Sequence, residues 1–392
     1  MESPGTGPMD RVTTADVVIV GGGVVGLSIA YHLAKRGCTR VAVLEQNALG
    51  SGSTGRSVGG IRQQFSTTVN VQLSRLSLQE FRHFQDEMGV SPGLRQDGYL
   101  FLATTPEEAV YFWDNVEMQR NLGVPVEYMA PAQILDLVPQ LNIADVAAAT
   151  FCPTDGHGDP YAVAMGYAEQ ARARGVQIYQ QTEVVAIERE KGRVVSVATP
   201  QGKIQTRTVV NAAGPWAATI GHMVGVKLPI QPFRRQYFMT DVFADLPERL
   251  PMVIDFRTHF YFRREGPGIL LGMTDVGEPP SFNTAVDWGF LEATVQQATH
   301  RCPVLERATI KQAIAGLYDT TPDDNPILGR LPDIEGFICA AGFSGHGFMH
   351  APATGLLIAE LILDGEARTI DINPLTFTRF TEGQAYREVH VV

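Results

Sequence analysis

Apolar residues recur along this chain with two different periods. Residues 16–20 (Asp-Val-Val-Ile-Val) form a short continuous apolar run that predicts a buried strand, and residues 40–44 predict a second. Between them Leu27, Ile29, Ala30, Leu33 and Ala34 follow helical spacing up to Gly37. Further helices are predicted over 69–88, where Val71, Leu73, Leu76, Leu78 and Phe81 supply the apolar positions, over 106–122 before Gly123, over 160–174 before Gly175, and over 287–300. A last helix is predicted over 351–363, with Pro352 in its first turn, where proline costs no hydrogen bond. Strand-like runs occupy 98–103, 176–180, 183–190, 194–199, 208–211 and 337–340. The stretch 230–274 alternates in strand fashion, and 258–264 and 269–273 pair around Glu265-Gly266-Pro267-Gly268 as a hairpin.

The first strand runs directly into Gly21-Gly22-Gly23-Val24-Val25-Gly26, and the second ends at Glu45. This strand–glycine–helix–strand–acid order matches what a dinucleotide requires. Gly21 allows the tight turn, Gly23 lets a pyrophosphate reach the backbone, and Gly26 permits close helix–sheet packing. Val24 and Val25 open the helix, whose N-terminus offers N–H groups and partial positive charge to phosphate. Glu45 stands where an acid accepts hydrogen bonds from a ribose diol. The pattern by itself serves FAD and NAD equally. A second strand–glycine–helix unit lies more than three hundred residues on, where the strand at 337–340 meets Gly342-Phe343-Ser344-Gly345-His346-Gly347-Phe348. The nucleotide-binding domain is therefore expected to be discontinuous, made of residues 15–90, 150–225 and 325–392. Residues 91–149 and 226–324 would form the substrate domain, and 1–14 a flexible tail.

Composition narrows the class. The chain has 392 residues, with 44% hydrophobic and 19% charged, enough for two globular domains. A net charge of −11 argues against nucleic-acid or anionic-membrane partners. No apolar run reaches membrane-spanning length. The four cysteines (Cys38, Cys152, Cys302 and Cys339) form no C-x-x-C pair, so neither a disulfide framework nor a metal site is expected, and a reducing cytoplasm fits. The expected partner is a small molecule, bound by a monomer or homo-oligomer.

Two segments separate the cofactors. Residues 208–216 contain V-V-N-A-A-G-P-W, and 342–348 read G-F-S-G-H-G-F. The first resembles the second FAD motif of the D-amino-acid-oxidase-type flavoproteins. The other is similar to the C-terminal flavin loop of their sarcosine-oxidase branch. Tyr318-Asp319-Thr320-Thr321-Pro322-Asp323-Asp324 resembles that branch's Y-T-x-T-P-D-E stretch, and residues 57–65 (S-V-G-G-I-R-Q-Q-F) resemble sarcosine-dehydrogenase-like proteins. The resemblance implies an α/β fold: a discontinuous Rossmann-like FAD-binding domain of glutathione-reductase type, with an inserted α+β substrate domain on an antiparallel sheet. It implies FAD contacts at Gln46, Ser53, Thr54, Arg56, Ser57, Gly59, Gly60, Val184, Ala213, Gly214, Trp216 and Gly316, and along Gly342, Ser344, Gly345, His346, Gly347, Phe348 and Met349.

The same resemblance implies oxidation of a C–N bond beside a carboxylate. Hydride passes to flavin N5 and the imine hydrolyses. The substrate is expected to be sarcosine or another N-alkyl amino acid, with oxygen as acceptor and hydrogen peroxide as product. The alternatives are a dehydrogenase, for instance of L-proline, using another acceptor, and a non-catalytic flavoprotein assembly factor. Arg62 aligns with the family's carboxylate-binding arginine. Arg56 is the other candidate, in a setting that suits pyrophosphate. His346 is expected on the substrate side of the flavin, Tyr318 matches an active-site tyrosine, and Tyr261 adds a second aromatic wall unless Phe260 takes that place. The chain departs from the branch at Met349, where a lysine helps hold the carboxylate, and at Ile269-Leu270-Leu271, where the lysine tied to oxygen activation aligns. Ala315-Gly316-Leu317 replaces the flavin-linking cysteine, and no histidine occupies 56–57, so FAD is expected to be non-covalent.

Overall fold

A computed structural model describes residues 13–390. Most of the expected tail, residues 1–12, lies outside the described residues. Thr13 and Thr14 depart from that expectation: Thr14 bridges Gln205, whose N–H donates to the Thr13 carbonyl at 2.8 Å.

Two sheets organise the chain. The first has six strands in the order Ile327–Arg330, Phe337–Ala341, Thr208–Asn211, Val17–Val20, Val41–Leu44, Gln177–Tyr179. All pairs are parallel except the edge strand Ile327–Arg330. Strand order reverses on either side of Val17–Val20, and a ligand crevice opens at the carboxyl ends of strands at such a point. The helix Val24–Lys35 packs between Pro160–Ala173 and Gly347–Leu363 on one face, burying Leu27, Ile29, Leu33, Val163, Tyr167, Leu357 and Ile358. The second sheet has eight strands, from Tyr99–Ala103, Glu127–Met129, Ala148–Cys152 and five strands between Gln231 and Thr320. It corrects the antiparallel expectation at one seam. Met252–Asp255 runs parallel to Tyr99–Ala103, because two separate excursions of the chain meet there side by side. The hairpin forms between Phe260–Glu265 and Gly268–Met273.

The final helix starts earlier than Pro352 suggests. It spans Gly347–Leu363, with Pro352 inside it. Gly345, at φ +94°, turns the chain so that helical geometry begins two residues later. The helix tolerates the proline with outside help, since the Ala353 N–H donates to Ser77 Oγ at 3.1 Å.

The segment 386–390 returns across the molecule and is held by residues of the Asp323-Asp324 motif. Glu388 N–H donates to the Asp323 carbonyl at 2.9 Å, Arg387 pairs with Asp324 at 3.2 Å, and Arg379 forks onto Asp323 at 2.7 and 3.0 Å. The Glu388 carboxylate is buried and accepts from Ser66 N–H (2.8 Å), Ser66 Oγ (2.5 Å), Thr67 Oγ1 (3.0 Å) and Asn70 Nδ2 (3.0 Å). The His390 ring stacks on Phe101 at 5.2 Å, among Tyr111, Phe112 and Phe256.

This packing makes stability depend on pH. Burial holds His157 and His350 down to about 3 and His390 to about 4, and pushes His346 well below the usual histidine range. It raises Asp155 and Asp319 to about 6. Between pH 4 and 6 the unfolded chain binds protons on the four histidines that the folded chain refuses. The folded chain keeps protons on the two aspartates that the unfolded chain releases. The histidine contribution is lost as pH falls and the aspartate contribution as pH rises, and four outweigh two. The apparent melting temperature should therefore fall by several degrees between pH 6.5 and 4.5 in a thermal scan. A flat or rising profile would contradict the buried neutral histidines.

Candidate active site

The turn out of the first strand sets the crevice floor. Gly21 has φ +111°, and a Cβ there would lie 2.3 Å from the Ala212 carbonyl oxygen, so no other residue fits. Gly26 plays the packing role expected of it, against the Gly21 carbonyl, away from the crevice surface. Gly23, Val24 and Val25 bring the helix N-terminus to the crevice wall, with Thr54 Oγ1 accepting from Val24 N–H at 3.1 Å. Glu45 is positioned by its own carboxylate: Oε2 accepts from Gly22 N–H at 2.7 Å and Oε1 from Asn47 N–H at 2.8 Å. Both oxygens of the acid are thus fixed to the backbone, and Glu45 lines the crevice.

A cavity of about 470 Å³ runs from Glu45 to the loop at 342–348. It is lined by Gln46, Ser53, Thr54, Arg56, Ser57, Gly60, Val184, Ala213, Gly214, Trp216 and Gly316, and by Gly345 through Met349. Three expected contacts stand behind its surface. Gly59 packs against Gly158: its carbonyl accepts from Gly158 N–H at 2.9 Å, and its own N–H donates to Ser57 Oγ at 3.1 Å. Gly342 and Ser344 brace the loop from behind: Gly342 N–H donates to Asp319 Oδ2 at 2.7 Å, Ser344 N–H to the Asp319 carbonyl at 3.0 Å, and Thr321 N–H to Ser344 Oγ at 3.2 Å. Gly345 is required by proximity, because a Cβ there would lie 2.3 Å from the Tyr318 ring.

The strand Ile310–Thr320 joins the two sheets at this end. Ser53 Oγ donates to the Leu317 carbonyl at 2.7 Å, and Arg56 Nη1 to the Ala315 carbonyl at 2.7 Å. Arg56 is thereby committed to the seam. Tyr318 and Tyr261 both line the cavity, while Phe260 packs into the opposite core, which settles the hairpin register in favour of Tyr261. Tyr99 and Tyr237 line it too and were not foreseen. Each lies in a strand whose face becomes an interior wall only once the eight-stranded sheet closes over the crevice. Burial pushes the phenols of Tyr99, Tyr261 and Tyr318 upward, so all stay protonated, and the charges of Arg235 and Arg62 partly oppose this at Tyr318.

Arg62 and His346 come together. Arg62 is buried, its guanidinium carbon 4.1 Å from the Phe65 ring centroid. Its Nη1 donates to the Gln64 carbonyl at 2.6 Å, and its Nη2 to the His390 carbonyl and to His346 Nε2 at 3.0 Å. Because guanidinium only donates, His346 Nε2 must accept, and the ring proton sits on Nδ1. That buried Nδ1–H has no partner among the described residues. An orphaned donor on the wall of this cavity is what a bound cofactor or substrate oxygen would satisfy. With the glycine turn, the helix N-terminus and the Glu45 edge, the donor set fits FAD.

Comparison with known proteins agrees. The family model described as "FAD dependent oxidoreductase" (DAO) matches residues 16–361. Mitochondrial dimethylglycine dehydrogenase of Rattus norvegicus is 33% identical over 413 residues, covering 98% of this chain and 48% of that protein, so the chain spans about half the length of that relative. FAD-dependent oxidoreductase domain-containing protein 1 of Xenopus laevis is 34% identical, covering 96% of this chain and 85% of that protein. The crystal structure of L-proline dehydrogenase from P. horikoshii superposes with a TM-score of 0.89 at 37% identity, over 95% of this chain and 99% of that one. The chain belongs to the DAO family of FAD-dependent oxidoreductases.

Proposed function

We propose that this chain oxidises the C–N bond of a small amino acid with a secondary nitrogen, L-proline or an N-methylated glycine, and passes the electrons to an acceptor other than oxygen. The observation that carries this reading is the cavity end beside the glycine loop, where Tyr99, Tyr237, Tyr261 and Tyr318 wall a slot flanked by Arg62 and Arg235. Residues 15–90, 150–225 and 325–392 would hold the cofactor, and 91–149 and 226–324 the substrate. FAD, when bound, supplies the two-electron acceptor for hydride.

The chain's own residues do the rest. Glu45 and the helix N-terminus at Gly23 would hold the ribose and pyrophosphate. The helix Gly347–Leu363 points its positive end at the loop, and it and the His346 Nδ1–H would stabilise negative charge on a reduced flavin held there. A substrate amine must lose its proton before giving up hydride. The nearby guanidinium charges and the aromatic wall both favour the neutral amine, so the ammonium would release its proton to bulk water on entering the slot. The imine product leaves and hydrolyses in bulk water.

Support for an acceptor other than oxygen comes from the cavity's cations. Among its lining residues the cations are Arg56, Arg62 and Arg235, with no lysine, and the Met349 thioether stands beside the slot. The dehydrogenases reported above point the same way. No cysteine lines the cavity and its histidine is engaged by Arg62, which supports non-covalent FAD.

Anaerobic mixing with L-proline or sarcosine should bleach the flavin, and admitted air should restore the colour more slowly than an added dye acceptor does. A flavin that stays oxidised with every amino acid tried would reject catalysis in favour of a scaffold role, and fast reoxidation by air would favour an oxidase. Acid precipitation should leave the yellow chromophore in the supernatant; a yellow pellet would refute non-covalent binding. Glu45→Ala should weaken FAD retention by about 10-fold or more, the scale of one charge-assisted hydrogen bond, measured by equilibrium dialysis. Unchanged retention would remove Glu45 from the ribose site.

A further inference from the structure

The two guanidinium groups flanking the slot have different surroundings. Arg62 has three of its five N–H donors engaged, including both on Nη2. Gln64 takes Nη1, and the His390 carbonyl and His346 share Nη2. Both edges of the guanidinium that can pair bidentately with a carboxylate include Nη2, so such a pair would have to displace the His390 carbonyl or His346. That carbonyl is fixed by its neighbours, since Glu388 is caged by Ser66, Thr67 and Asn70, and the His390 Nδ1 pairs with the Gln64 carbonyl at 3.2 Å.

Arg235 is the contrary case. It sits in the strand Gln231–Thr240, opposite Gly316 and two positions from Phe233, which faces Tyr318 across the ladder. Its guanidinium carbon lies 5.6 Å from the Tyr318 ring centroid and 5.7 Å from that of Phe233. The side chain lines the cavity and is half-buried. Its Nη1 donates to the Arg234 carbonyl at 2.9 Å, while its Nε–H is buried with no partner among the described residues. The neighbouring Arg234 faces the other side of the strand, where Glu278 pairs with it at 2.7 Å; Arg235 forms no ion pair among the described residues. A buried donor on an uncompensated cation, beside the Tyr318 ring that packs on Gly345, lacks only an anionic acceptor.

We infer that Arg235, rather than Arg62, receives the substrate carboxylate, and that Arg62 instead organises His346 and the C-terminal segment. The inference rests on the amino-acid reading above, but the anion site is measurable without turnover. The substrate would lie between the Tyr318 and Tyr261 side chains, with its carboxylate on the side of the strand Gln231–Thr240 and its C–H bond toward the loop at 345–348.

The test uses the FAD-loaded protein and acetate as probe, with acetamide as a neutral control of the same shape, read by perturbation of the flavin absorbance. Wild type should respond to acetate and not to acetamide. Arg235→Gln should raise the acetate dissociation constant by about 100-fold, the loss expected for a charge-assisted pair of hydrogen bonds, with FAD content and melting temperature near wild type. Arg235→Lys should recover part of the affinity. Arg62→Lys should lower the melting temperature and expose residues 386–390 to protease, yet keep acetate binding. Retained acetate affinity in Arg235→Gln, its loss in a folded Arg62→Lys, or no acetate response in wild type would each overturn the assignment. Acetate binding that depends on Arg235, in a protein whose flavin no amino acid reduces, would uphold the anion site and reject the proposed oxidation.

Discussion

The strand Ile310–Thr320 is the constraint on which the site depends. One of its edges pairs with Gln231–Thr240 in the eight-stranded sheet, and near its carboxyl end the strand is also fastened to the other half of the molecule. Ser53 and Arg56 grip the carbonyls of Leu317 and Ala315 from one side. Asp319 grips Gly342 and Ser344 from the other. The Asp319 carboxyl is buried, and its elevated pKa shows that burial outweighs the backbone N–H groups it accepts. These contacts hold Tyr318 directly against Gly345, so the aromatic wall and the glycine loop cannot drift apart without unpairing buried backbone groups.

The second consequence concerns charge. A cavity destined for an anionic cofactor and an anionic substrate needs positive potential, yet the chain as a whole carries −11. The structure reconciles these by lining the cavity with Arg56, Arg62 and Arg235, and most arginines of this region are engaged by a neighbour. Arg56 goes to the seam, Arg62 to the C-terminal segment and His346, and Arg379 to Asp323. Buried cations of this kind raise stability only when their donors are all satisfied. Arg235, on the cavity wall, has a buried Nε–H with no acceptor among the described residues.

Much of this was legible from local pattern. The glycine turn, the acid at Glu45 and the hairpin partners all follow from short-range periodicity and turn chemistry, because their geometry is decided by residues within a few positions of each other. Even the discontinuity of the first sheet could be read, since two strand–glycine–helix units announced themselves at opposite ends. What stayed hidden was long-range. Tyr99 and Tyr237 carry no motif; they matter because strands more than a hundred residues apart bring their faces to one wall. The start of the last helix was misjudged because Pro352 looked like a terminus, while Ser77, distant in sequence, supplies the acceptor that makes an internal proline tolerable.

Arg62 shows the same division. Sequence resemblance placed it in the active site, and it does line the cavity, but the spacing could not say that a segment beginning some 320 residues later would occupy its hydrogen bonds. By itself the sequence determined which strand would meet which glycine turn, and with it the dinucleotide site, because those choices are made by backbone sterics and helix dipoles within one supersecondary unit. Only the tertiary structure decided that distant acceptors would occupy Arg62 Nη2 while the buried Nε–H of Arg235 has no partner among the described residues. That depends on competition among acceptors drawn from the whole chain, which folding alone brings within hydrogen-bonding distance.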